Sequence, residues 1–179
     1  DLDGKKVGGP DGLSVPQEVY IHTGLYKARP EVNSVIHIHP PREVIFTICE
    51  KEFLPLYGAY DPSSVYLLLE GIPTYGRSIT ISNEELSKEF CAAMGQKNVC
   101  LMRGHGITTA GATVEEATMT AIKVNELAEM SYQAHLLGDP KPIPDEDIEH
   151  FKKSLAKRAG KPSPHATAGW RYYEKLSGA

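Results

Sequence analysis

The sequence lacks the features of membrane and nucleic-acid-binding proteins. No hydrophobic run is long enough to cross a bilayer, and the opening Asp1-Leu2-Asp3-Gly4 has neither the charged nor the apolar region of a signal peptide. Neither sign of charge forms a long block, and the net charge is -4. We therefore expect no membrane or nucleic-acid partner, a cytoplasmic address and a small-molecule substrate.

Cysteine is also scarce. Cys49, Cys91 and Cys100 are odd in number, widely separated and set in apolar stretches. This pattern predicts reduced, buried thiols, which are typical of the cytoplasm.

What is present is the composition of a folded domain. The chain has 179 residues, of which 41% are hydrophobic and 23% charged, values usual for globular proteins. This length predicts a single domain covering residues 1–179.

Hydrophobic periodicity and capping residues predict the elements. The predicted helices cover residues 15–28, 41–49, 63–70, 82–94, 113–137 and 146–159, and the predicted strands cover residues 32–39, 78–81, 99–102 and 107–109. Three of the helix starts rest on capping motifs, Ser14-Val15-Pro16-Gln17, Ser82-Asn83-Glu84-Glu85 and Thr113-Val114-Glu115-Glu116. Because strands and helices do not alternate strictly, we expect an α/β layered fold with a central, largely antiparallel sheet flanked by helices.

Two histidines stand two residues apart in the first predicted strand. His37 and His39 project from the same face of a strand, close enough to share one ion. Such a pair also occurs by chance as exposed or hydrogen-bonded imidazoles. The apolar neighbours Ile36 and Ile38 suggest an interior strand, where unpaired imidazoles would be costly and a metal ion would offset that cost.

Two further residues are candidates for the same site. His105 lies between Gly104 and Gly106 after an apolar strand, in a turn with room beside the ring. Glu18 lies in the first turn of a predicted helix, where a carboxylate is ordinarily a surface residue favoured by the helix dipole. Taken alone, His105 is as well explained as part of an ordinary strand-end turn.

The order and spacing of several motifs resemble the class II aldolase/adducin family. The resemblance covers the chain to about Leu137 and rests on the segments Ser14-Val15-Pro16-Gln17-Glu18, Leu25-Tyr26-Lys27-Ala28-Arg29-Pro30-Glu31-Val32, His37-Ile38-His39 and Arg103-Gly104-His105-Gly106 and on the helix at Thr113. In that family a glutamate nineteen residues before the first histidine acts as the acid/base. The resemblance thus implies metal ligands at His37, His39 and His105 and an acid/base at Glu18.

The resemblance also implies a type of chemistry. It suggests a metal-dependent carbon–carbon lyase that works through a metal-stabilised enolate, with decarboxylation of a hydroxylated aromatic acid ahead of aldol cleavage. A sugar-phosphate aldolase or 4-epimerase, a non-haem iron oxygenase and a non-catalytic adducin-like module are the alternatives. The implied cofactor is one divalent ion, with zinc ahead of manganese, cobalt and iron, and the implied assembly is a homotetramer.

The sequence departs from the family in three places. From the resemblance we expect that the family's N-terminal segment, which carries a phosphate-binding loop in the aldolases, is missing before Asp1, and that residues 139–179 are a C-terminal extension. The aldolases also use a tyrosine between the second and third ligands. Tyr60 is the nearest candidate for it, with a structural aromatic residue as the alternative.

Overall fold

A computed structural model describes residues 1–158 and 164–178, but not the side chains of residues 158 and 164–167. The elements in chain order are α1 (Val19–Ala28), β1 (Ser34–Ile38), α2 (Pro41–Ile48), α3 (Pro62–Glu70), β2 (Thr74–Tyr75), α4 (Glu84–Met94), β3 (Val99–Met102), β4 (Gly106–Gly111), α5 (Val114–Leu137), α6 (Asp145–Arg158) and α7 (Pro164–Leu176).

In the described part of the chain, four strands form one sheet in the order β1-β4-β3-β2. The β1–β4 and β3–β4 pairs are antiparallel, and β2 pairs with β3 in parallel. The expected α/β fold with a largely antiparallel sheet is therefore confirmed. The expectation that β1 is interior was wrong, since β1 lies at the sheet edge and Ile38 is 37% exposed. Its apolar composition reflects the helices α1 and α5, which pack against it.

The core lies on both sides of the sheet. One cluster joins α1 and α4 to the strands, with Ile21, Leu25 and Phe90 fully buried. The helices approach so closely that a side chain at Gly24 would overlap the hydroxyl of Ser87. On the other side, Val124 of α5 packs in a second cluster with β3 and β4. The sheet is thus held between helical layers, as burial of both sheet faces requires.

Of the three helix starts predicted from capping motifs, one was correct and two were shifted. Thr113 caps α5 by accepting a hydrogen bond from Glu116 N at 3.2 Å, as predicted. The cap of α4 is Asn83, whose side chain accepts from Leu86 N at 2.9 Å, and not Ser82. Helix α1 begins at Val19, four residues later than predicted, because the chain first makes a turn closed by Pro16 O and Val19 N.

Two other predictions were wrong. No strand forms over residues 78–81, and β2 lies instead at Thr74–Tyr75, where the backbone pairs with β3. Residues 78–80 are exposed and have no neighbouring strand. Cys49 is exposed and Cys91 half-buried, so that only Cys100 has the predicted burial. Cys49 follows the last turn of α2 on the surface, where local apolar composition does not determine burial.

The C-terminal extension forms two helices in the described part of the chain. Helix α6 matches the predicted helix to within one residue at each end, although residue 159 lies outside the described residues. Helix α7 packs against α5, and the Tyr173 hydroxyl donates to Glu126 Oε1 at 2.6 Å. Across the described residues, no helix combines the length and apolar character of a membrane span.

Gly106 tests the tight contact between β4 and the end of β1. A Cβ at this position would overlap the Ile38 carbonyl oxygen and approach His39 Cδ2 to 2.8 Å. We expect Gly106→Ala to lower the free energy of unfolding by about 1–3 kcal/mol, as overpacking does. At the exposed Gly76, an added Cβ meets nothing within 4 Å, so Gly76→Ala is the matched control. Equal denaturant midpoints for the two variants would contradict the contact.

Candidate metal centre

The β1–β4 pairing brings the three histidines together. His37 lies opposite Thr108, so the end of β1 lies beside the turn that precedes β4. His105 occupies that turn, which is closed by a hydrogen bond from His105 N to Met102 O at 3.0 Å. Gly104 has φ +58°, a conformation that other residues rarely adopt. The pairing of β1 with β4 and the turn at Gly104 thus place His105 next to the end of β1, which lies far earlier in the chain.

The three imidazole rings form a nearly equilateral group. The ring centroids of His37 and His39 are 4.8 Å apart, those of His37 and His105 are 5.0 Å apart, and those of His39 and His105 are 4.8 Å apart. The Nε2 atoms of His37 and His39 are 2.9 Å apart. The three side chains therefore converge on one point.

His37 is held in one orientation by β4. Its Nδ1 lies 3.0 Å from Ile107 O and 3.1 Å from Thr108 Oγ1. Because the carbonyl can only accept, Nδ1 carries the proton and Nε2 presents its lone pair to the cluster. Burial lowers the pKa of His37 to about 4, against the opposing effect of Glu18, so the ring is neutral at pH 7. A neutral imidazole is the form that binds metals.

Glu18 supplies a carboxylate to the same point. Its Oε2 lies 3.3 Å from His37 Nε2, and its Oε1 lies 3.2 Å from His105 Nε2. Its side chain is 22% exposed and accepts a long hydrogen bond, 3.4 Å, from the backbone N of Ile81. Glu18 is the N-cap residue of α1 and makes no side-chain cap bond, which leaves its carboxylate free to face the histidines.

The four side chains fit a divalent metal ion. Their candidate ligand atoms all lie within 4.8 Å of one another. Tetrahedral ligands at bonds of about 2.0–2.2 Å are roughly 3.4 Å apart, so small side-chain movements would complete the coordination. Three imidazole nitrogens are a donor set that suits zinc and neighbouring transition metals, and the Glu18 carboxylate faces the same point. The His39 side chain is 55% exposed, which leaves one side of the cluster open to a small molecule.

Tyr60 lies away from this cluster in the same chain. Its side chain is 77% exposed, and its ring packs edge to face on Tyr57 with centroids 5.6 Å apart. Both tyrosines line a cavity of about 390 Å³ to which Glu18 and the three histidines do not contribute. A catalytic role for Tyr60 stays a prediction.

Supporting residues were missed by the sequence analysis. Thr108 and Ile107 orient His37, and the Thr47 hydroxyl accepts a hydrogen bond from Gly104 N at 3.1 Å, beside His105. Glu43 is completely buried in α2. None of these residues has a local sequence signature. The pairing of β1 with β4 was the missing information, since it determines which threonine lies opposite His37.

Comparison with known proteins identifies the family of this chain. The sequence profile of the class II aldolase and adducin N-terminal domain matches residues 1–132. A 3,4-dihydroxyphthalate decarboxylase from Arthrobacter keyseri is 39% identical over 152 residues, covering 83% of this chain and 61% of the relative. One from Terrabacter sp. is 37% identical over 142 residues, covering 79% of this chain and 59% of the relative. The chain thus spans about three fifths of these relatives, and the resemblance seen in the sequence is confirmed.

Structural comparison supports the same fold. The crystal structure of an aldolase II superfamily protein from Pseudomonas syringae superposes with a TM-score of 0.80 at 22% sequence identity. The match covers 98% of this chain and 68% of that structure. At this identity the likeness shows the fold, and it confirms the expected class II aldolase-like arrangement.

Removal of one histidine tests the cluster. We expect the wild-type protein to bind one Zn²⁺ per chain and His105→Ala to weaken that binding by more than about a hundredfold, beyond the usual cost of losing a supporting residue. Isothermal titration with Zn²⁺ measures both values. The exposed His150, whose ring lies against Phe151, is the control, and His150→Ala should bind as the wild type does. Equal affinities for all three proteins would rule out His105 as a ligand.

Proposed function

Because this chain belongs to the class II aldolase and adducin family, we propose that it is a metal-dependent carbon–carbon lyase that decarboxylates a hydroxylated aromatic acid. The observation that carries the proposal is the convergence of Glu18 and three imidazoles on one point with an open side at His39. A purely structural site would be closed by its protein ligands, whereas a catalytic site keeps a position for substrate.

The relatives narrow the proposed substrate. The two compared enzymes are named for decarboxylation of 3,4-dihydroxyphthalate, and their identity to this chain extends beyond the metal-binding motifs. We therefore propose an aromatic acid that carries adjacent hydroxyl groups beside the carboxylate that is lost. Two adjacent hydroxyl oxygens can chelate one ion, which would fix the ring relative to Glu18.

The proposed reaction assigns separate tasks to the side chains. His37, His39 and His105 would hold a divalent cation, which acts as a Lewis acid on the substrate's oxygens when bound. As the bond to the carboxylate breaks and carbon dioxide leaves, the electron pair of that bond would stay on the substrate, shared by the ring carbon and the ring's oxygens. Glu18 would then give its proton to that ring carbon. The Ile81 backbone N–H steadies the Glu18 carboxylate during this transfer.

Other parts of the proposal concern the protein as a whole. We propose zinc as the ion, with manganese, cobalt and iron as alternatives, because neutral imidazoles accept each of them. We also propose a cytoplasmic homotetramer. The exposed apolar side chains of Ile45 and Ile48 on α2 support burial against another subunit.

The released fragment identifies the reaction. We expect the purified, Zn²⁺-loaded protein to release carbon dioxide from 3,4-dihydroxyphthalate, measured with a carboxyl-labelled substrate. Prior removal of metal with a chelator should abolish the release, and added Zn²⁺ should restore it. Aldehyde release from a ketose 1-phosphate, with no carbon dioxide from the aromatic acid, would contradict decarboxylation and favour the aldolase alternative.

Glu18→Gln separates proton transfer from metal binding. Glutamine has the size of glutamate and keeps one carbonyl oxygen, but it cannot carry the proton. We expect kcat for carbon dioxide release to fall about 10²–10⁴-fold, the usual contribution of a general acid or base, while one metal per chain is retained. Glu115→Gln, on the exposed first turn of α5, is the matched control. A Glu18→Gln enzyme with unchanged kcat would remove Glu18 from the mechanism.

A further inference from the structure

Helix α2 connects two of the three histidines that converge at the metal centre. It begins at Pro41, two residues after His39, and its last turn, at Thr47 and Ile48, packs on the turn that carries His105. The eight residues of α2 span about 12 Å as one hydrogen-bonded unit. A displacement at one end of this helix is therefore passed on to the other end.

The connection between His39 and α2 is short and stiff. It consists of Pro40, and the helix itself opens with Pro41. Pro40 has φ −71° and ψ 131°, within the narrow range of φ that a proline ring allows. Because the two rings fix φ at both positions, the chain has little freedom to turn His39 relative to the helix. The position of α2 thus constrains that of His39.

Thr47 makes the hydrogen bonds at the other end of α2. It is 6% exposed, and its hydroxyl donates to Val44 O at 2.8 Å and accepts from Gly104 N at 3.1 Å. Since the hydroxyl proton is engaged with Val44, a lone pair of the oxygen faces the Gly104 N–H. Thr47 therefore fixes the direction of this contact as well as its distance.

The contact falls on the most adaptable residue of the turn. Gly104 has φ +58°, and glycine populates several backbone regions with similar ease. The turn's own backbone bonds run from Arg103 N to Tyr75 O and from His105 N to Met102 O, both at 3.0 Å, and so lead back to the sheet. The Thr47 hydroxyl instead ties the turn to α2, directly before His105.

A second contact between α2 and this turn contributes less. Arg103 Nη2 lies 2.5 Å from Oε1 of Glu50, which follows the helix, but the two side chains are 45% and 69% exposed. Exposed ion pairs add little stability, because water competes for both charges and two long side chains must be ordered. The buried hydroxyl of Thr47 is therefore the contact that we expect to hold the turn.

We propose that Thr47 is a positioning residue for the metal centre, and that its hydroxyl holds His105 at the separation from His39 that a shared ion requires. His37 is held independently by β4. Without the hydroxyl, the turn at Gly104 would adopt further conformations, and His105 would have to be ordered each time an ion binds. Because that ordering costs conformational entropy, the ion would bind less tightly. This inference rests on the metal centre proposed above.

The test compares Thr47→Val with Thr47→Ser. Valine keeps the branched shape and removes the hydroxyl, whereas serine keeps the hydroxyl and removes one methyl group. In competition with a chelator for Zn²⁺, we expect Thr47→Val to bind about 10–100-fold more weakly than the wild type, the usual cost of losing a group that orients a metal ligand. Thr47→Ser should bind as the wild type does.

Thr109→Val is the matched control for a general loss of stability. Thr109 is also buried, and its hydroxyl donates to Ala117 O of α5 at 2.9 Å. Its side chain points to the face of β4 opposite to that of Thr108, which orients His37. Thr47→Val and Thr109→Val should both lower the free energy of unfolding of the metal-free protein, but Thr109→Val should keep the wild-type affinity for Zn²⁺.

Each outcome decides between the proposals. Wild-type affinity in Thr47→Val, or equal weakening by Thr47→Val and either Thr47→Ser or Thr109→Val, would overturn the role of Thr47 and leave the metal centre intact. A Thr47→Val chain that does not fold would overturn it too, because the hydroxyl would then serve the fold as a whole. A wild type that binds no Zn²⁺ would overturn the metal centre as well.

Discussion

The antiparallel pairing of β1 with β4 determines where the other parts of the candidate site lie. It sets Ile38 opposite Ile107 and His37 opposite Thr108, so that residues far apart in the chain meet at the edge of the sheet. The same ladder supplies the carbonyl that fixes His37 and the close approach that requires glycine at position 106. A one-residue slip in this pairing would turn His37 to the opposite face and dissolve the cluster.

The close approach of three imidazoles and a carboxylate is unfavourable without a cation, which supports the proposal that the site binds a metal ion. Three imidazoles and a carboxylate compete for one small space, and burial lowers the pKa of His37 so that its ring is neutral. Two imidazole nitrogens 2.9 Å apart can share one proton at most, or they can face a common cation. A divalent ion would accept a lone pair from each of the three imidazoles at once.

Local patterns predicted most of the elements and the His37–His39 pair, the family resemblance added His105 and Glu18, and tertiary contacts determined what the sequence analysis missed. The period-two spacing of His37 and His39 and the cap at Thr113 are local signals, and they survive in the structure. The strand predicted at residues 78–81 does not form because no neighbouring strand in the described part of the chain pairs with this segment. The burial of Glu43 could not be predicted because it depends on how α2 packs against α5, which no local pattern encodes.

The most direct test of the central claim is the location of the metal itself. Crystals grown with Zn²⁺ and measured on both sides of the zinc absorption edge give an anomalous difference map in which zinc is identified without reference to the protein. The account predicts one strong peak per chain, about 2.0–2.1 Å from a nitrogen of each of His37, His39 and His105 and on the side that Glu18 faces. A map with no peak there, or with the zinc bound elsewhere on the chain, would contradict it.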